Sequence, residues 1–180
     1  MPIGRGRSKR VTSPRNLRSL ENAQDHRPMG LSLNFDLEDA NGTVHSLQEY
    51  RGHVLVLFYE SREHVQDNFA LKRSFMHPRR PPFNQVRVVG VANVKSLNFP
   101  PARTFTQKAV RAIQSQFDLE LLLDWEGQLL GAPFFFDPAA SNVVVLSPAG
   151  EVLFRHRGVL APHERERLVR TLAERVHHAA

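Results

Sequence analysis

The chain has 180 residues, 41% of them apolar and 23% charged, and carries no cysteine. That length fits one domain with an extension, and the missing thiol excludes disulfides, thiolate metal sites and every reaction that runs through a sulfur nucleophile. The net charge of +6 suggests a polyanion partner until it is divided along the chain. Residues 1 to 30 hold seven basic residues against Glu21 and Asp25, a balance of +5, whereas residues 31 to 180 hold 17 basic and 16 acidic residues.

The basic segment combines Gly, Ser, Pro, Asn and Arg with isolated apolar positions at Ile3, Val11, Leu17, Leu20 and Met29. Such a segment cannot bury enough surface to offset its ordering entropy, so the composition predicts a disordered tail over 1 to 30, with room for a short helix over 17 to 24. Arg5, Arg7, Lys9 and Arg10 are its candidate contacts to phosphates or acidic surfaces. The interaction expected is weak and unspecific, because no aromatic residue is interleaved for base stacking.

From Leu31 onward the pattern predicts one domain, 31 to 180. Leu33, Phe35 and Leu37 alternate with Asn34 and Asp36, as in a strand with one buried face. Asn41-Gly42 reads as a turn into Thr43 and Val44. The apolar run His53 to Tyr59 predicts a strand buried on both faces. Ser61 is placed to cap a helix to about Met76, with Val65, Phe69, Lys72/Arg73 and Phe75/Met76 at helical spacing, and Pro78, Pro81 and Pro82 end it.

A second buried strand is expected over Val86 to Val94. Pro100-Pro101 opens a helix from about Arg103 to Gln116, whose apolar face is read as Phe105, Ala109, Ala112, Ile113 and Phe117. Leu119 to Leu123 is strand-like and leads into a turn over Asp124-Trp125-Glu126-Gly127. Asn142 to Leu146 and Glu151 to His156 form a hairpin around Pro148-Ala149-Gly150. Pro162 starts a final helix striped by Leu168, Val169, Leu172 and Val176. The expected order is β, β, α, β, α, β, β, β, α.

This order, and several local sequences, resemble the thioredoxin-like superfamily. Ser46-Leu47-Gln48-Glu49-Tyr50-Arg51-Gly52-His53-Val54-Leu55-Val56-Leu57-Phe58-Tyr59 resembles the opening of redoxin, TlpA-like and peroxiredoxin (AhpC-TSA) domains. Leu123-Asp124-Trp125-Glu126-Gly127, Ser141 to Leu146, Gly150-Glu151-Val152 and Gly158-Val159-Leu160 are similar to the layout of the YtfJ family within that superfamily. The resemblance spans about residues 31 to 176 and implies an α/β thioredoxin-like fold with a central mixed sheet flanked by helices.

Where those families place Cys-x-x-Cys after the strand, this chain has Glu63-His64-Val65-Gln66, and where they place a cis-proline before the hairpin it has Asn142. Both halves of the redox site are thus replaced. Glu63, His64, Gln66 and Asn142 become vestigial site positions, and Phe134-Phe135-Phe136 after Pro133 an apolar cluster that either covers the vacant groove, meets a partner or packs as core. Glu63 could serve as a base or His64 as a ligand; the plainer alternative is that Glu63 complements a helix dipole and His64 faces water.

The nine histidines are scattered, without His-x3-His or two-His-carboxylate spacing, so no metal site is expected. Ser61 lacks a Gly-x-Ser-x-Gly turn, and no glycine-rich phosphate loop exists, so no cofactor is expected either. The sequence reading is therefore a non-catalytic thioredoxin-like module that binds or scaffolds an unidentified protein. Its alternative is a redoxin-like oxidoreductase or antioxidant protein using non-thiol chemistry. No apolar run approaches the length of a membrane span and no apolar leader is visible, so a cytoplasmic location is expected.

Overall fold

The computed structural model describes residues 33–76, 82–116 and 119–177. The basic segment 1 to 30, with Arg5, Arg7, Lys9 and Arg10 and the helix expected over 17 to 24, lies outside them, as do Pro78, Pro81 and Phe117.

Seven strands make one mixed sheet: β1 Asp36–Asp39, β2 Val44–Ser46, β3 Leu55–Glu60, β4 Arg87–Asn93, β5 Glu120–Asp124, β6 Asn142–Leu146 and β7 Val152–Arg157. Their order is β2-β1-β5-β4-β3-β6-β7. β3, β4 and β5 run parallel, and β6 returns antiparallel to β3. The two segments expected to be buried strands, His53 to Tyr59 and Val86 to Val94, are thus adjacent inner strands, as two-sided burial requires. The three-residue β2, too short to show a period, joins β1 at the edge.

Alternate residues of each strand feed different cores. Leu55, Leu57 and Tyr59 of β3 join Leu33, Phe35, Leu37, Val89, Val91, Leu122, Phe134 and Phe136 on one face. Val56 and Phe58 meet Val143 and Val145 on the other, covered by Leu71 and Phe75 of α1 (Phe69–Met76) and by Leu168 and Leu172 of α3 (Pro162–His177). A third cluster joins Val110 of α2 (Ala102–Gln114) to Ala40, Val94, Leu123 and Trp125.

Two helical expectations need correction. The helix expected from Ser61 is broken: a single 3₁₀ turn, Arg62–His64, is followed by a non-helical turn, and the α-helix starts only at Phe69. The break lies at Asn68, whose φ of 55° is left-handed; its carbonyl accepts the amides of Leu71 and Lys72 and so begins α1. The second correction concerns α2, which buries Val110 and turns Phe105, Ala109, Ala112 and Ile113 to solvent.

A candidate functional site closed by a buried polar network

The positions marked by the resemblance to redoxins, Glu63 to Gln66 and Asn142, lie on the turn between β3 and α1 and at the start of β6. The antiparallel register sets Tyr59 opposite Asn142, which brings Glu60 beside Ser141 although 81 residues separate them. Beside the marked positions four other polar side chains meet. Lys72 Nζ donates to Glu60 Oε1 at 2.9 Å and Oε2 at 2.7 Å, and to the Val65 carbonyl at 2.6 Å. All three ammonium protons are thereby engaged.

The Ser141 hydroxyl donates to Glu60 Oε1 at 2.6 Å. Asn68 Nδ2 donates to Ser141 Oγ at 3.2 Å and to the Gly158 carbonyl at 3.0 Å, while its Oδ1 accepts the Leu160 amide at 2.8 Å. Lys72, Asn68 and Ser141 are buried, Ser141 completely at 0% exposure, and the Glu60 side chain is nearly so. Such a network is tolerable inside a protein because its members satisfy one another. It leaves Ser141 shielded from any substrate, so its chemistry is that of a staple between β3, β6, α1 and the turn before α3.

The residues singled out from the sequence fall around this network. Glu63 and Gln66 are exposed on the turn before α1. The Glu63 carboxyl is held below its ordinary value by its own backbone N–H and the Ser61 hydroxyl, with smaller help from His64 and Arg62 against a slight opposing effect of burial. Because α1 begins six residues further on, its dipole does not act on Glu63. His64 Nδ1 lies 3.0 Å from Asp67 Oδ2.

Asn142 is buried and lines no open groove. Its Nδ2 donates to the carbonyls of Tyr59, Asp137 and Ala140 and its Oδ1 accepts the Asp137 amide, pinning the turn before β6. Phe134 and Phe136 are core: Phe136 stacks on Tyr59 at 5.0 Å and Phe134 meets Phe35 at 6.2 Å. Phe135 alone points outward, 62% exposed at φ 49°. The structure therefore splits the phenylalanine run and does not gather Glu63, Asn142 and Phe135 into one pocket.

Sequence reasoning missed Glu60, Asn68, Lys72 and Ser141. One signal was available: Lys72 occupies an apolar-stripe position of α1, and a lysine there needs a buried carboxylate partner. Glu60, terminating the apolar run of β3, is that partner. Around the network three apolar side chains stay exposed, Val65, Phe69 and Val159. The bonds of Asn68 to Gly158 and Leu160 hold Val159 beside the start of α1.

A second buried carboxylate, Asp124, serves the opposite core. It accepts the Tyr59 hydroxyl at 3.2 Å and the amides of Gln128 and Leu129, fixing the 3₁₀ turn after β5. Among the described residues no group of three or more His, Asp or Glu side chains is placed to hold a metal ion.

No protein-family model and no curated protein matches the chain. Solved structures do match its fold. A candidate thiol:disulfide interchange protein DsbE from Chlorobium tepidum superposes with a TM-score of 0.58 at 18% identity, over 81% of this chain and 94% of its own. The pneumococcal exposed lipoprotein thioredoxin Etrx1 from Streptococcus pneumoniae gives 0.56 at 14%, over 77% and 98%. StoA from Bacillus subtilis gives 0.54 at 17%, over 78% and 97%. The fold is thioredoxin-like, and this chain carries it without cysteine. None of these comparisons confirms the likeness to the YtfJ family expected from the sequence motifs.

Proposed function

We propose that the chain is a non-catalytic thioredoxin-like module that binds a protein partner through the surface over the end of β3. The supporting observation is the Lys72–Glu60–Ser141–Asn68 network, which lies beside the Glu63–Gln66 turn as satisfied, inaccessible groups while Val65, Phe69 and Val159 stay exposed around it. An apolar surface kept open over a closed polar floor suits binding better than turnover. Glu63, His64 and Gln66 form the polar rim in this reading and Phe135 a neighbouring contact. The division at residue 30, the auxiliary role of the basic segment and a cytoplasmic location belong to the same proposal; among the described residues no helix is long and apolar enough to cross a membrane.

The test compares capture of a defined, stoichiometric partner by the full chain and by Phe69→Asp/Val159→Asp. Loss of that partner in a variant with unchanged thermal unfolding supports the reading. Undiminished capture removes the surface from it. Saturable turnover of a peroxide or disulfide by the unmodified chain would favour the non-thiol enzyme instead.

A further inference from the structure

Helix α2 turns its apolar side away from the domain. Phe105, Ala109, Ala112 and Ile113 recur every three or four residues and share one face. Phe105 is 69% exposed and Ile113 46%, and Ala109 and Ala112 are exposed between them. The side packed on the domain carries Val110 with the half-buried Arg103, Gln107 and Gln114. Arg103 bonds Glu38 and Asn98 and lies over the Trp125 ring, and Gln114 donates to the Leu121 carbonyl. Val110 is thus the one buried side chain of this helix, with Ala102 and Thr106 half-buried beside the polar contacts. Leu97 and Phe99, just before it, extend the exposed apolar surface.

Charge indicates what covers it. Residues 95 to 117 contain Lys95, Arg103, Lys108 and Arg111 and no carboxylate, whereas the rest of the stretch from 31 to 180 holds 13 basic and 16 acidic residues. Glu38 neutralises Arg103. Among the described residues no carboxylate lies within ion-pair distance of Lys95, Lys108 or Arg111.

We propose that the α2 face docks on an anionic phospholipid surface, with Phe105 and Ile113 entering the boundary between headgroups and acyl chains and Lys95, Lys108 and Arg111 meeting phosphates. A second copy of the chain would set like charges against each other. A soluble protein would have to enclose a ridge that has no wall of its own. A lipid interface yields around a ridge and supplies apolar depth and negative charge together.

The chain's lack of cysteine makes the test clean, since Ala109→Cys gives the full chain one labelling site. An environment-sensitive dye at position 109 should shift to the blue with phosphatidylcholine vesicles containing about one third phosphatidylglycerol, and hardly at all with phosphatidylcholine alone. The same dye at position 170, introduced by Arg170→Cys on α3, should stay in water. Unlabelled Phe105→Asp/Ile113→Asp and Lys108→Glu/Arg111→Glu should each co-sediment about tenfold more weakly or worse, with circular dichroism and thermal unfolding unchanged because these side chains are exposed. If the dye at 109 stays in water, or answers only to a soluble protein, the lipid assignment is overturned. It is overturned equally if both double variants sediment like the parent, which would make residues 1 to 30 the source of binding.

Discussion

Lys72 donates to both carboxylate oxygens of Glu60 and to the Val65 carbonyl, which lies in the Glu63–Gln66 segment where the resemblance to redoxins sets a thiol pair. Removing one partner strands the other's charge in a buried site. Lys72→Met or Glu60→Leu alone should therefore destabilise the fold by about 3–5 kcal/mol. The double variant Lys72→Met/Glu60→Leu should cost less than the sum, with a coupling of about 1–3 kcal/mol. Urea unfolding of the four proteins measures this, and additive losses would contradict a paired network.

Asn68 combines a left-handed backbone with three side-chain bonds, so its two roles can be separated. Asn68→Gly keeps the backbone accessible and loses the bonds to Ser141, Gly158 and Leu160; Asn68→Ala loses both. Unfolding midpoints should rank parent, Gly, Ala, with the alanine variant about 1–2 kcal/mol below the glycine variant. Equal losses would mean that the backbone conformation relaxes once the side chain is gone.

The sheet was legible because burial on both faces leaves a local mark: β3 is apolar from Leu55 to Tyr59 and β4 from Val88 to Ala92, and they are adjacent inner strands. The helices were less legible, since a period names a face without saying what it meets. On α2 the strongest apolar stripe proved to be the exposed one. The 61–76 pattern passes straight through Asn68, whose break is made by partners some 90 residues away. The site itself was opaque for that reason: Ser141 and Glu60 become neighbours only through the pairing of β6 with β3. The Phe134–Phe136 run could not be sorted from sequence because a turn, without strand alternation, decides which rings enter the core.

The chain has two tyrosines, and both should resist ionisation. Burial pushes the Tyr50 and Tyr59 hydroxyls above their ordinary range, reinforced by the carboxylates that accept their protons, Glu120 at 2.6 Å and Asp124 at 3.2 Å. A raised phenol pKa contributes stability that is complete below the unfolded value of about 10 and is lost as pH rises past it toward the folded value. Alkaline titration followed by tyrosinate absorbance should thus show no rise near pH 10. The signal should appear in one step together with the loss of circular dichroism. A gradual rise by native protein would mean that at least one hydroxyl reaches water.

Restoring cysteines should not restore redox chemistry. Glu63→Cys/Gln66→Cys rebuilds Cys-x-x-Cys at the position where redoxins carry it, but a reactive thiolate needs a helix N-terminus or an unpaired cation beside it. Here positions 63 and 66 lie on a 3₁₀ turn and the loop after it, and α1 opens only at Phe69. The Lys72 ammonium is neutralised by Glu60 and fully engaged. Asn142, where a proline would shape substrate contact, is buried and bonded to three carbonyls. The introduced thiols should titrate near the ordinary value of about 8.5. Reduction of insulin disulfides should not exceed that of dithiothreitol alone, as for the parent chain, which has no sulfur nucleophile to form a mixed disulfide. Thiol titration by absorbance at alkaline and neutral pH, with the insulin assay beside it, decides the matter. A thiol ionising near neutrality together with saturable turnover would show that the scaffold keeps its redox electrostatics, and the reading of this site as closed to chemistry would fall.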